Sequence, residues 1–196
     1  MMNMKLIGTL TCIWLVMAIA ATAQNPVLDT AGQPLRRGLQ YYIKPAITDN
    51  GGRFTLISRN DSCPLYPGQE NFSGGNGAPV TFAPFVRGEN VVRETKNFKV
   101  RFDVFTICLQ STTWRVGQED PETGRRLIET GDNGGFGNYF YIRRGKVENT
   151  YEIRWCPAEL CPTCRFRCGD VGALVENDKR LLALDGSVLP VVFERA

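Results

Sequence analysis

FKVRFDVF, residues 98–105, is the stretch that decides the fold class. Phe98, Val100, Phe102 and Val104 alternate with Lys99, Arg101 and Asp103. A period of two places one face of the chain in a core and the other in water, the mark of a half-buried strand. The same grammar recurs in LQYYIKPA (39–46), RFTLISR (53–59), VTFAP (80–84), TTWRVGQ (112–118), RRLIETG (125–131), NYFYIRR (138–144), TYEIRWC (150–156), VGALVEN (171–177), KRLLALD (179–185) and PVVFER (190–195). No long helical period appears. DNGG (49–52) and GDNGGFGN (131–138) carry turn chemistry, because Gly and Asn accept positive φ. About a dozen short strands in one chain predict an all-β closed barrel or a sandwich. A weak repeat of aromatic-bearing strands, LQYYIKP, STTWRVG and NTYEIRW, starts near 39, 111 and 149. Its uneven intervals do not by themselves establish a three-fold.

The first residues set the compartment. MMNMKLIGTLTCIWLVMAIAATAQ has one cation, Lys5, then an apolar run and the small residues Ala21-Thr22-Ala23. This is the pattern of a secretory signal peptide, 1–23, cut after Ala23, and the run is short for a membrane anchor. The mature domain is then 24–196, secreted to the extracellular space or routed to a vacuole, with no membrane attachment. Removal of the leader takes Cys12 and leaves an even set of cysteines in an oxidising lumen. Of these, Cys156, Cys161, Cys164 and Cys168 form a C-x4-C-x2-C-x3-C cluster. Such thiols can hold zinc, hold an iron–sulfur cluster or form two disulfides. The compartment favours disulfides, with no metal and no cofactor. Asn60-Asp61-Ser62 and Asn71-Phe72-Ser73 are glycosylation sequons, Asn71 lying in the more polar, Gly-rich run.

The chain contains no histidine and has a net charge of +3 with both signs scattered. The first fact removes Ser-His-Asp and Cys-His catalysis. The second gives no basic block for nucleic acid. Glu119, Asp120 and Glu122 cluster, but in EDPETG they read as a solvated turn and not as a catalytic carboxylate pair. Asp29 and Asp170 read as makers of capping or turn hydrogen bonds. Trp114 and Trp155 read as packing residues. An enzyme is not expected.

VLDTAGQPLRRGLQYYI (27–43) resembles the opening signature of the plant Kunitz-type, soybean trypsin inhibitor-like family. CPL (63–65), STTWRVG (111–117), YEIRWCP (151–157), CGDVG (168–172), RLLALD and PVVFE follow in the family's order. The cysteine cluster is similar to that of its miraculin-like branch. The resemblance implies a β-trefoil, about twelve strands with a pseudo-three-fold axis, stabilised by Cys63–Cys108, Cys156–Cys168 and Cys161–Cys164. It also implies a monomer that inhibits a protease, most directly a serine endopeptidase and alternatively a cysteine protease.

Relatives present an exposed loop in substrate-like form, and a loop already ordered loses little entropy on docking. The matching segment here holds Pro84, Phe85, Val86, Arg87 and Gly88, within 84–90. Strict register makes Val86 the residue that fills the protease's primary pocket, which suits an elastase-like or subtilisin-like enzyme. A one-residue shift makes it Arg87, whose charge suits a trypsin-like pocket but places flexible Gly88 beside the reactive bond. The Asn that braces the loop from inside in the family falls at Arg37 here, and the segment is slightly longer. Those departures leave a second expectation: a non-inhibitory, miraculin-like trefoil serving defence, storage, or receptor or carbohydrate binding.

Overall fold

Most period-two segments become strands in the computed structural model, which describes residues 24–47 and 51–196. The expected signal segment, 1–23 with Cys12, and Asp49 and Asn50 of the expected turn lie outside the described residues. The strands are β1 Gln40–Pro45, β2 Phe54–Ile57, β3 Tyr66–Gln69, β4 Val80–Pro84, β5 Phe98–Phe102, β6 Trp114–Glu119 and β7 Arg126–Thr130. They continue with β8 Phe140–Arg144, β9 Tyr151–Trp155, β10 Gly169–Asp170, β11 Gly172–Glu176, β12 Lys179–Ala183 and β13 Pro190–Arg195.

Antiparallel pairing runs β13–β1–β4–β5–β8–β9 and returns from β9 to β13. A ring of strands has no free edge, which removes the unpaired backbone that invites aggregation. The hairpins β2–β3, β6–β7 and β11–β12 form a second layer, joined through β12 to β3 and to β7. Three units around one axis, each of four strands once β10 and β11, parted only by Val171, are counted together, make this a β-trefoil. The units open on β1, β5 and β9, at residues 40, 98 and 151. The sequence repeat therefore went astray at its middle member: STTWRVG is β6, the second strand of its unit, and the true counterpart of β1 and β9 is FKVRF.

The inward faces fill the barrel. Ile43, Phe82, Val100, Ile142, Ile153, Val191 and Phe193 are buried. Phe82 meets Phe98 and Phe193 edge-on, with ring centroids 5.3 and 5.7 Å apart. Trp114, fully buried, lies between Phe54, Phe102 and Phe140 at 6.0, 5.9 and 5.9 Å, and ties the cap layer to the barrel. Offset and edge contacts of this kind add about 1 kcal/mol each beyond area burial.

Two details differ from expectation. FKVRFDVF stays paired only to Phe102; Val104 still packs on the core, but Phe105 stands in solvent. YPGQ (66–69), which is not among the segments expected to be strands, is β3. A Cβ on Gly68 would lie 2.3 Å from the Arg180 carbonyl oxygen and 2.3 Å from Ile57 Cδ1, so close strand approach requires glycine there.

Three disulfides are formed: Cys63–Cys108, Cys156–Cys168 and Cys161–Cys164. Cys156 follows β9 and Cys168 precedes β10, which pairs back on β9, so the cluster staples one connection twice.

That connection is also held electrostatically. Arg126 grips Asp185 through Nε and a terminal nitrogen, both at 2.7 Å. Arg167, within the stapled connection, donates to Asp185 at 3.0 Å and to Glu119 at 2.8 Å. The Arg126 hydrogen bond, with help from Arg167, holds the Asp185 carboxyl at about 2, below its ordinary 3.8. Its contribution is complete above about pH 4 and disappears as pH falls toward 2. We expect Asp185→Asn to cost about 1–2 kcal/mol at pH 7, allowing for solvent screening of a partly exposed group. Asn suits the residue's left-handed backbone, φ 65°. Thermal melts of both proteins at pH 7 and pH 2 check this, and the gap should close at the lower pH.

Candidate functional site

The β4–β5 connection carries the expected loop. Pro84 ends β4 and is buried; Phe85, Val86, Arg87 and Gly88 are exposed. Glu89 N–H donates to the Val86 carbonyl at 3.2 Å, and Gly88 has φ +86°. Positive φ at the third position of a four-residue turn is the signature of type II geometry. Arg87 and Gly88 are its two central residues, so the Arg87 side chain projects from the apex. Val86 points partly inward, lining a cavity of about 50 Å³ with Pro84, Val91 and Phe98. That space is too small for a ligand.

Arg37 organises this loop. Its Nε donates to the Glu89 carbonyl at 3.0 Å, and one terminal nitrogen donates to the carbonyls of Pro84 at 2.8 Å and Val86 at 3.4 Å. One guanidinium thus reaches both shoulders of the loop. Where the resemblance implies an Asn, the bracing bonds come from a longer side chain with more donors in a fixed fork. Arg37 is placed by the segment before β1: its own N–H bonds the Asn90 carbonyl at 2.9 Å, and bridges join Pro26 to Arg93 and Arg36 to Val91. Gly38, φ +74°, lets the chain turn from that segment into β1.

The returning limb has a second anchor that sequence reasoning missed. Asn97, buried just before β5, accepts Phe85 N–H on its carbonyl at 2.8 Å. Its side-chain amide donates to the carbonyls of Phe140 at 3.3 Å and Cys156 at 3.2 Å. Glu159, inside the stapled connection, accepts Asn97 N–H at 2.9 Å and pairs with Lys96 at 2.8 Å. The cysteine cluster therefore supports the loop from behind. The one signal available in sequence was an Asn placed directly ahead of a strong alternating strand. Phe85 packs edge-on against Tyr139 at 5.5 Å and closes the base.

The other candidates resolve into structure. Asp120 is buried and not solvated, accepting N–H groups of Glu122 and Thr123 and the Arg59 guanidinium. These hydrogen bonds, first that of Glu122, push its carboxyl below the usual range. Asp29 accepts N–H groups of Ala31 and Gln33 in a turn. Asp170 pairs with Arg143 and Arg154 and does not cap a turn. Trp155 packs against Phe166 and donates to the Phe136 carbonyl. Asn60 and Asn71 are both exposed, and Asn71 Nδ2 donates to the Asp178 carbonyl at 2.7 Å. The four clustered sulfurs are taken up in two bridges, which leaves no thiolate for an ion there.

The Kunitz_legume family model, described as trypsin and protease inhibitor, matches residues 27–195. The chain is 47% identical over 188 residues to Kunitz type trypsin inhibitor 104 of Medicago truncatula, covering 93% of each. It is 31% identical to miraculin of Synsepalum dulcificum, over 91% of this chain and 86% of that one. Among solved structures, the bifunctional alpha-amylase/subtilisin inhibitor of Oryza sativa superposes with a TM-score of 0.74 at 31% identity. That match covers 89% of this chain and all of the other.

Proposed function

Because the chain belongs to the plant Kunitz family of trypsin and protease inhibitors and is not an enzyme, we propose that it blocks a serine endopeptidase with the 84–90 loop, Arg87 filling the primary pocket. The observation that carries this reading is the Arg37 fork, which spends one guanidinium on ordering an exposed segment. Arg87 is preferred to Val86 because it stands at the apex, while Val86 leans into the cavity beneath and offers its carbonyl to Arg37 and Glu89. An Arg in this position pairs with an acidic, trypsin-like pocket.

The turn at 86–89 has a cost. A protease reads extended backbone, so the Glu89–Val86 hydrogen bond must open on docking. One such bond is worth about 1 kcal/mol net, which weakens binding roughly five- to tenfold relative to a loop already extended. The same turn favours the second reading, a non-inhibitory miraculin-like trefoil, should the turn persist against every enzyme. Cysteine proteases are the subsidiary target class. Secretion after cleavage at Ala23, delivery to the extracellular space or a vacuole, a monomeric state and glycans on Asn60 and Asn71 belong to the proposal. The disulfides support an oxidising route.

Titration of trypsin, chymotrypsin, elastase, subtilisin and papain with the mature protein tests it. Inhibition of trypsin at submicromolar concentration is expected. Failure to slow any of the serine enzymes at micromolar concentration rejects the serine form of the reading. Arg87→Ala and Val86→Ala beside the wild type separate the two registers; if neither alters inhibition, the loop assignment is wrong.

A further inference from the structure

The outer face of β4 and β5 carries a polar groove that the inhibitor reading leaves unassigned. Period-two alternation turns Phe82 and Val100 into the core and puts Thr81, Ala83, Lys99 and Arg101 on the other face. Register sets Thr81 beside Arg101 and Ala83 beside Lys99, and a bridge brings Thr113 to the far side of Arg101. These residues line an opening of about 380 Å³, with Arg37 and Asp132 on its walls. A second opening of about 370 Å³ shares Asp132 and continues toward Gln110, Arg115 and Asn133. Each falls in the range of roughly 300–1,000 Å³ that small-ligand sites occupy.

The groove combines hydroxyls, cations and one carboxylate. Thr81 and Thr113 are only 7% and 5% exposed, so their hydroxyls are fixed by packing. Thr81 Oγ1 accepts from Arg101 Nε at 3.2 Å and keeps its own proton to donate. Thr113 Oγ1 and Ser111 Oγ share a hydrogen bond at 2.8 Å. Lys99 donates to both Asp132 oxygens, at 2.9 and 2.8 Å, and Arg115 pairs with Glu129. Arg37 spends Nε and one terminal nitrogen on the 84–90 loop, which leaves its other terminal nitrogen. We propose that this groove binds an acidic saccharide, a chain of sugar rings that each carry a carboxylate. The ring carboxylates pair with Arg101 and Arg37, and the ring hydroxyls bond Thr81, Ser111 and Asp132. Asp132 decides against a denser polyanion: placed where the two openings meet, it repels closely spaced phosphates but accepts from hydroxyl donors. Among the described residues the one aromatic side chain bordering either opening is Phe82, which is buried, so a nucleobase finds no stacking platform.

The inference does not depend on protease inhibition, and binding is measured with no enzyme present. Isothermal titration of the mature protein with a galacturonic acid tetramer is the experiment, with a glucose tetramer as the uncharged control. Saturable binding is expected with a dissociation constant below about 1 mM, at least about tenfold weaker for the glucose tetramer. Arg101→Ala, at an exposed position, should weaken it about tenfold, and Thr81→Val, which keeps the shape and loses the hydroxyl, about fivefold. Asp132→Ala separates a built site from diffuse attraction. Its loss makes the groove more positive, so attraction alone gives tighter binding, whereas loss of a hydroxyl acceptor gives binding about fivefold weaker. Tighter binding by Asp132→Ala overturns the proposal. So does unchanged binding by Arg101→Ala, equal affinity for the glucose tetramer or for a single-stranded oligonucleotide of equal charge, or no binding at about 1 mM.

Discussion

Arg37→Ala is expected to weaken inhibition about a hundredfold and to convert the 84–90 loop from inhibitor to substrate. The guanidinium donates to three carbonyls on both shoulders of the loop. Hydrogen bonds from a charged donor contribute more than neutral ones, but these are exposed and partly replaceable by water. The larger loss is order. Fixing one residue's backbone costs about 1–2 kcal/mol, so releasing two residues adds roughly 3 kcal/mol to the cost of docking, which is the hundredfold stated. A loosened loop also fails to hold the cut ends together, so cleavage proceeds. Inhibition constants, with mass spectrometry to locate cleavage within 84–90, check both parts. Arg37→Lys should fall between, since it keeps the charge and loses the fork. Global stability should change by less than about 1 kcal/mol, because the side chain is exposed and its bonds go to backbone carbonyls of the loop and its shoulders. An alanine variant as potent and as resistant as the wild type would mean that the backbone orders the loop unaided.

The barrel was legible because period-two patterning is local. FKVRF, YEIRW and PVVFE each state which face is inside, and their barrel positions follow. What escaped was set by neighbours distant in sequence. β3 is a strand because Gly68 lets the chain pass against β12, a demand created by Arg180, more than a hundred residues away. Arg37 looked like a departure because the position was read by residue type, whereas its function depends on reach, and reach is fixed only once 84–90 curls over it. Asn97 and Glu159 are joined by a contact that no local pattern encodes. The cysteine cluster was read as a staple; that it also backs the loop emerges only from where Glu159 lands.

Removing the Cys63–Cys108 bridge, as Cys63→Ala with Cys108→Ala, is expected to cost about 4 kcal/mol, the largest stability loss among the three disulfides. The bridge spans 45 residues, against 12 and 3 for the others. In the chain-entropy account the gain grows with the loop closed in the unfolded state, giving about 4 kcal/mol for the first and about 3 for the second. The 3-residue loop closes easily unaided and should matter least. For a domain of this size the first loss corresponds to a melting temperature lower by roughly 10–15 °C. Calorimetry on the three paired variants checks the order; equal losses, or an inverted order, would place the effect in native contacts instead. Function should follow a different ranking. Cys156→Ala with Cys168→Ala releases the connection that carries Glu159, so Asn97 and Lys96 lose their partner behind the 84–90 loop. That variant should lose more inhibition of trypsin than the Cys63/Cys108 variant when both are assayed at a temperature where each is folded. The bridge that contributes less to stability is the one that stands behind the loop.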